Sequence, residues 1–510
     1  MFSKVKSCGI IGIDGYLIDV ETDIDFKEGT FDIVGLGDTA VKEARERVRS
    51  AIKNSGFEFP QDKITINLAP ANVRKEGSVL DLPIALGILG ASQKLKLDNI
   101  GEYVFVGELS LNGEVKPVKG ALSMAIKCLK EGIKKLVLPY ENAKEAGVVK
   151  GVEVLPIKHI REIIYHINRI EEIPPYQIEV ESLFTDEVVY DVDFCDVKGQ
   201  QAAKRALEVA ASGGHNCLLI GSPGSGKTML AKRLPTILPP LTFKESLEVT
   251  KVHSIAGTLE PNKALIVNRP FRSPHHTISN IALIGGGKYP KPGEISLAHF
   301  GVLFLDEVPE FSKLALEVLR QPLEDGNISI SRVNGSVVYP AKTTLICAAN
   351  PCKCGNYLDD KVPCTCTQRQ VQQYMSRLSG PLLDRIDIQI EMNPVKYKDL
   401  NDNTKEESSS QIRKRVIRTR QIQLERYKDI AIFSNSQLNG KYLNEFCKLD
   451  DNCKTLLKSA FDKLNLSARA YSRILKLART LADMDGEEKI KQCNIAEAIQ
   501  YRSLDRNGRR

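Results

Sequence analysis

The feature that most constrains this chain is the run Gly221-Ser222-Pro223-Gly224-Ser225-Gly226-Lys227-Thr228. It lies between an apolar segment, CLLI at 217–220, and a helix-forming segment, MLAKRLPTIL at 229–238. Its glycines let backbone N–H groups turn inward, and the N-terminus of the following helix adds positive dipole, so the loop is shaped to hold an anion. In a strand–loop–helix setting this spacing is a phosphate-binding loop. Lys227 reaches the β and γ phosphates of a nucleotide, and Thr228 offers a hydroxyl to Mg2+. Two more isolated apolar runs, VLFL at 302–305 and TLICAA at 344–349, are separated from the loop by helical stretches. That alternation predicts a parallel α/β sheet.

The ends of those strands carry the rest of a candidate catalytic set. GVLFLDE ends in Asp306 and Glu307 at the sheet edge where α/β folds bind ligands. Asp306 is placed to hold Mg2+ through water and Glu307 to polarise the attacking water. Asn350 closes the third strand and is a candidate for orienting that water or sensing the γ-phosphate. Arg385, in SGPLLDRIDIQI, and Arg469, in LSARAYSRILKLARTLA, are candidate guanidinium groups of the kind phosphoryl transfer uses, often supplied by a neighbouring subunit.

At 510 residues the chain predicts two to four domains. Residues 1–170 alternate short strands with amphipathic helices at Val41–Ser55 and Ala121–Glu131. A linker with Pro174-Pro175 is expected over 171–193, and the ATPase-like core over 194–396. A polar connector and basic helix follow over 397–429, then a helical lid over 430–510. The net charge of +7 permits a nucleic-acid partner without requiring one. No apolar run approaches the roughly 18 residues of a membrane span, and the amino terminus reads as strands, so no membrane partner is expected. Twelve cysteines without a secretion signal point to a reducing, cytoplasmic setting.

Four of those cysteines are paired, Cys352-x-Cys354 and Cys364-x-Cys366, within a 352–366 insertion. They are candidate Zn2+ ligands, with free thiols and redox chemistry as the alternatives. His275, His276 and His299 lie near Glu294. An extended backbone would send the first two to opposite faces, which argues against one shared ion. ISISRV-NG-SVVYPA at 328–341 predicts a hairpin turning at Asn334-Gly335, which carries Arg332 and either projects or merely extends a sheet. GGGKYPKPG at 285–293, with Lys288 and Lys291, is a glycine-rich loop suited to movement. The segment 411–428 holds seven basic residues and one acid, and is either a solvated helix face or a phosphate-contacting one.

Taken with FRSPHHTISNIALIGGG, PKPGEISLAHFGVLFLDEVPEF, ANPCKCGNY, SRLSGPLLDRIDI and SARAYSRILKLARTLAD, the chain resembles the AAA+ module of the magnesium-chelatase and replicative-helicase branch. The resemblance implies Arg385 as an arginine finger, Arg469 as a second sensor, and Gly199-Gln200 near the adenine. It also implies ATP with Mg2+ and a homohexameric ring moving single-stranded or branched DNA, with the 328–341 hairpin in the channel, Arg332 a candidate DNA contact, and the 285–293 loop with Lys288 and Lys291 a second candidate channel loop. Residues 107–145 resemble the α+β domain that Lon proteases carry. There the serine and lysine of the catalytic dyad fall at Val79 and Leu122, neither of which can do that chemistry, so no peptidase activity is expected. Ser78 lies one residue out of register. The competing readings are a metal-insertion chaperone, which needs a D-x-S-x-S partner module that this sequence lacks, and a remodeller of protein substrates.

Overall fold

Period-two alternation along the first thirty residues builds the opening of the fold. Phe2–Ile11 (β1) and Asp14–Glu28 (β2) pair antiparallel from Phe2↔Asp23 to Ile11↔Asp14, with Val5, Ile18, Val20 and Ile24 turned inward. The computed structural model describes residues 1–75, 77–96, 100–184, 190–260, 263–287, 290–332, 335–359, 362–394, 406–430, 432–464 and 466–502. The chain divides into two compact units. The first comprises residues 1–186, 243–267 and 331–338, and the second comprises 187–242, 268–330 and 339–510.

In the first unit, Phe31–Val34 (β3) and Asp62–Ala69 (β4) complete a four-stranded sheet of order β1-β2-β4-β3. Tyr103–Phe105 (β5) belongs to a separate parallel sheet. Glu108–Leu109 (β6) and Val115–Lys116 (β7) form a short antiparallel ribbon. Lys135–Pro139 (β8) and Glu153–Ile157 (β9) join β5 in the order β5-β8-β9. The helix Thr39–Asn54 starts where the Asp38 carboxylate accepts the Val41 N–H at 2.9 Å, a cap worth about 1 kcal/mol. The helix Asp81–Ala91 is buried on every face, which its run of Leu, Ile, Ala and Gly allows. The expected helix at 121–131 runs Ala121–Lys130. Within the 171–193 stretch, Ile173 and Val180 are buried in this unit and Tyr176 bridges to Val154; residues 185–189 lie outside the described set.

The chain rejoins this unit twice from later in the sequence. Along the helix Phe243–Ala256, Ser254 Oγ accepts the Gly120 N–H at 2.9 Å and donates to the buried Glu145 carboxylate. At the second return, Val337 packs on Gly12, where a side chain would come within 2.7 Å of it. Gly12 also has a positive φ of 63°, so the tight β1–β2 connection suits glycine twice over.

The second unit is built on a five-stranded sheet. Its strands are Cys217–Gly221 (β10), Phe271–Arg272 (β11), Val302–Leu305 (β14), Thr344–Ala349 (β17) and Ile388–Met392 (β18). Gly285–Gly286 (β12) pairs with Lys291–Pro292 (β13) in this unit, and Asn327–Arg332 (β15) pairs with Gly335–Pro340 (β16) in a hairpin whose residues 331–338 belong to the first unit. The order is β11-β14-β17-β10-β18 and every pairing is parallel. The three apolar runs read from the sequence are therefore adjacent central strands. Leu218, Leu219, Ile220, Leu303, Phe304, Ile346 and Cys347 are all buried, each large side chain contributing about 1.5–3 kcal/mol.

The lid helices are Gly440–Phe446, Asp451–Leu464, Ala468–Met484 and Gln492–Gln500. A buried polar network ties them to the sheet. His215 meets Asp387 at 3.1 Å and Thr480 at 2.7 Å, Arg473 pairs with Asp387, and Asn435 donates to Asp483 at 2.8 Å. Most of its polar atoms are partnered, Arg473 Nε being a buried exception among the described residues. The basic segment forms the helix Ser409–Arg426. Arg415 pairs with Glu208 at 2.7 Å, Arg426 pairs with Asp483, and Arg420 donates to the Ala211 carbonyl at 3.3 Å. Those three arginines are committed inside the unit, so the helix is anchored by them, which weighs against a continuous phosphate-contacting face and was not foreseen by the solvated-face reading either. No helix among the described residues is long and apolar enough to cross a membrane.

Candidate nucleotide site

β10, β14 and β17 end together, because the register pairs Ile220 with Ala349 and Leu305 with Cys347. The residues that follow them therefore converge. The helix Lys227–Ile237 begins at Gly226, whose φ of 91° is left-handed, and Gly224 has φ 78°. A Cβ at either glycine would meet nothing within 4 Å, so the requirement there is backbone conformation and not space. The Ser222 hydroxyl is buried without a hydrogen-bond partner, and Ser225 is fully buried. An orphaned hydroxyl in a loop of inward-turned backbone suits a ligand rich in acceptor oxygens.

Lys227 Nζ donates to the carbonyls of Gly221 at 2.7 Å and Ser222 at 3.0 Å, and to Asn350 Oδ1 at 3.2 Å. Burial pushes the Lys227 ammonium below its ordinary value, against the pull of Asp306 and Glu307. Thr228 Oγ1 donates to Asp306 at 2.7 Å, which brings together the hydroxyl and carboxylate suited to Mg2+. Glu307 holds a left-handed backbone with φ 51°, and its own N–H donates to Asp306 at 3.0 Å. A non-glycine residue in that region costs about 1–3 kcal/mol and is characteristic of functional sites. The Glu307 side chain is 53% exposed and faces His276 Nδ1 at 3.8 Å.

Gln200 is also left-handed, with φ 56°, directly after Gly199 at φ 64°. Its amide donates to the Ser225 carbonyl at 3.1 Å and the Asn393 carbonyl at 2.7 Å. Gly199 N–H donates to Glu406, which also pairs with Lys204 at 2.8 Å. Gln200 thereby touches the phosphate loop, with Gly199 directly before it.

The two arginines lie at the other edge of the sheet. Asn216, the residue before β10, donates to the Arg385 carbonyl at 2.9 Å and accepts the Leu345 N–H at 2.8 Å. The length of β10, about 13 Å for four residue steps, separates that edge from the phosphate loop. The Arg385 guanidinium is 11% exposed, pairs with Glu324, and donates to the carbonyls of Arg320 at 3.2 Å and Pro381 at 2.6 Å. Arg469 is 62% exposed and meets Asp384 at 3.3 Å. Arg385, Arg469, Arg473 and Lys476 line one cleft with Glu324 and Asp384. Arg473 and Lys476 were not singled out from the sequence, and only the spacing of one helical turn from Arg469 could have suggested Arg473.

The histidine expectation needs correction. The backbone turns at His276 instead of running extended, so the two rings lie 4.1 Å apart and do not face opposite ways. His275 meets Thr277 Oγ1 at 2.9 Å, His299 accepts the Lys342 N–H at 3.1 Å, and Glu294 is held by Arg272 at 2.7 Å. His276 beside Glu307 has no signal in local sequence, because 31 positions separate them. Lys291 is exposed on β13. Lys288 and Asn334, like the side chain of Arg332, lie outside the described residues.

Cys352, Cys354, Cys364 and Cys366 gather, with all four Sγ atoms within 4.8 Å of one another. The closest pairs are 3.3, 3.5 and 3.7 Å apart, near the roughly 3.8 Å edge of a tetrahedron with Zn–S bonds of about 2.3 Å. The Asn356 N–H helps pull the Cys354 thiol down to about 5, whereas, against their backbone hydrogen bonds, burial and the neighbouring sulfurs raise Cys364 and Cys366. In the first unit, Val79 is half-buried, Leu122 is buried in the apolar core, and Ser78 donates to Glu108.

The parallel sheet, its phosphate loop and the Asp306–Glu307 strand end define a P-loop module of the AAA+ class. Three family models match: magnesium chelatase subunit ChlI over residues 193–400, the same subunit's model over 20–142, and its C-terminal model over 406–502. The competence protein ComM of Haemophilus influenzae is 42% identical, covering 98% of this chain and 97% of its own length. The uncharacterized protein YifB of Escherichia coli is 42% identical over 99% of this chain and 97% of its own. Lon protease 2 of Bacillus subtilis is 26% identical over 32% of this chain and 33% of its own length. The chain belongs to the magnesium-chelatase-like AAA+ family that includes ComM and YifB, a membership that implies ATP and Mg2+.

Proposed function

We propose that this chain is one subunit of a ring-shaped ATPase that uses hydrolysis to move single-stranded or branched DNA, as in strand exchange or branch migration. The observation that carries the ring is the division of the catalytic set between opposite edges of one sheet. Lys227, Thr228, Asp306, Glu307 and Asn350 collect at one edge, whereas Arg385 and Arg469 sit at the other. A single subunit cannot bring both to one phosphate, but a head-to-tail neighbour can, and repetition of that contact closes a ring.

Within the site, Lys227 exchanges its bonds to the Gly221 and Ser222 carbonyls for phosphate oxygens. Thr228 and Asp306 would hold Mg2+, which would supply positive charge to neutralise the phosphates. Glu307 takes the proton of the attacking water, with its exposed carboxylate as the base. Asn350 stays beside Lys227 at the γ-phosphate position. Arg385 leaves Glu324 to meet the neighbour's phosphate, a change from internal to intersubunit pairing that couples hydrolysis to subunit rotation.

DNA as the substrate is supported by the likeness to the helicase branch and by the lysine-bearing glycine loop around Lys291. The magnesium-chelatase family models favour metal insertion as the second reading. The lack of a D-x-S-x-S metal-binding signature in this sequence weighs against it. The Cys352–Cys366 cluster is assigned to structural Zn2+, and the site of action to the cytoplasm.

The test is ATPase rate and oligomeric state with no nucleic acid, single-stranded DNA, a four-way junction or an unfolded protein. Stimulation by DNA and hexamers in ATP are expected. Hydrolysis indifferent to DNA but raised by unfolded protein would replace this reading with protein remodelling.

A further inference from the structure

We propose that the four-cysteine loop is a metal clamp on the phosphate loop, so that zinc occupancy sets nucleotide affinity. The inference rests on the zinc reading above and adds a function to it.

The loop touches the nucleotide machinery at two points. Its root follows β17 directly: Asn350 accepts from Lys227 Nζ at 3.2 Å, and Cys352, two residues on, is fully buried. Its turn reaches the phosphate loop itself. Gly355 has φ 87°, is buried, and lies so close to Pro223 that a Cβ there would stand 2.5 Å from Cδ and 2.7 Å from Cγ. Glycine is required at that position on both counts, for the left-handed backbone and for the contact. Pro223 in turn is the ring next to Ser222, whose hydroxyl is the orphan of the site.

Apolar burial holds this loop only weakly among the described residues: Tyr357 and Val362 are each 47% exposed and Leu358 is half-buried. All four cysteines are free thiols, and their Sγ separations of 3.3–3.7 Å suit one tetrahedral ion. One tetrahedral ion bonded to all four sulfurs would hold the loop in the arrangement that seats Gly355 on Pro223. With the ion bound, Asn350 and Pro223 are fixed from one cross-link, one on the Lys227 side of the phosphate loop and one on its tip. Without it, the loop has little to keep either contact. The fit of donor set and spacing points to Zn2+ over harder ions.

The experiment uses the full chain. Zinc content is measured by elemental analysis, and the affinity for a fluorescent ATP analogue by titration without DNA, for four proteins: wild type, Cys354→Ser/Cys364→Ser, Gly355→Ala and Cys493→Ser, the last an exposed cysteine elsewhere. Wild type and Cys493→Ser are expected to carry about one zinc per chain and bind alike. The double variant loses zinc and weakens nucleotide binding on the order of tenfold. Gly355→Ala keeps its zinc, which reports a folded loop, and still weakens binding. Zinc lost with affinity unchanged, or Gly355→Ala binding like wild type, overturns the clamp but leaves structural zinc standing. Wild type that takes up no zinc overturns both. Because the readout is nucleotide binding alone, none of these outcomes bears on whether DNA is the substrate.

Discussion

Glu145 and Glu307 show how differently the two units treat a carboxylate. Glu145 is buried, accepting the Leu122 N–H at 3.0 Å and the Ser254 hydroxyl. Glu307 is 53% exposed on a strained backbone and faces only His276 across 3.8 Å among the described residues. Their neighbours differ too. Ser78 donates to Glu108, whereas the Ser222 hydroxyl is buried with no partner among the described residues. The first unit also holds buried hydroxyls of that kind, at Thr22 and Ser55, so an orphan hydroxyl alone does not mark a site. What sets the second unit apart is an orphan hydroxyl standing with a buried lysine and a strained acid at one sheet edge, a combination organised around a ligand.

The comparison breaks most visibly at the arginine edge. Arg385→Ala should lower ATP hydrolysis on the order of 10³-fold, leaving nucleotide affinity of the subunit intact. Mixing it with Glu307→Gln subunits should restore part of the rate, because each supplies what the other's interface lacks. Phosphate release from mixed and unmixed preparations checks both statements; absence of rescue would mean the arginine acts within its own subunit. Glu307→Gln alone should cost about 10²-fold or more in rate, with binding of the fluorescent analogue unchanged.

Smaller effects concern the buried titratable groups. Burial holds the His215 imidazole below its ordinary 6.5, opposed by Asp387. The unfolded chain takes the proton first, so the stabilisation present above pH 6.5 is lost as pH falls towards the lower folded value. The unfolding free energy from urea titration should be lower at pH 5.5 than at pH 7.5, and His215→Gln should flatten that difference. Glu145 behaves with the opposite sign. Burial raises it above its ordinary 4.5 against the bonds from Ser254, Leu122 and Asn142. Its contribution is therefore full at low pH and declines as pH rises through the folded value. Glu145→Gln should change stability at neutral pH by less than about 1 kcal/mol, and ATPase rate not at all.

Much of the second unit was legible in the linear sequence because its signals are local. A strand, a glycine loop and a helix start are consecutive, so Gly221–Thr228 could be placed at once, and three isolated apolar runs proved to be three central strands. Helix Ala121–Lys130 was read to within one residue for the same reason, a strong apolar periodicity. The histidine pair failed because one turn at His276 reverses the side-chain directions that an extended backbone would impose.

What the sequence by itself determined is the chemistry available: a phosphate loop, a carboxylate pair, four paired thiols and a Lon-like block without its dyad. Local spacing suffices for these, since each motif works through residues a few positions apart. Only the tertiary structure decided where they stand. Sheet register carried Asp306, Asn350 and Lys227 to one edge, and left Arg385 and Arg469 at the other. Folding of the 352–366 loop set Gly355 on Pro223. Contacts between residues 80 or more positions apart depend on how strands pair and loops close, and no local pattern in the chain encodes them.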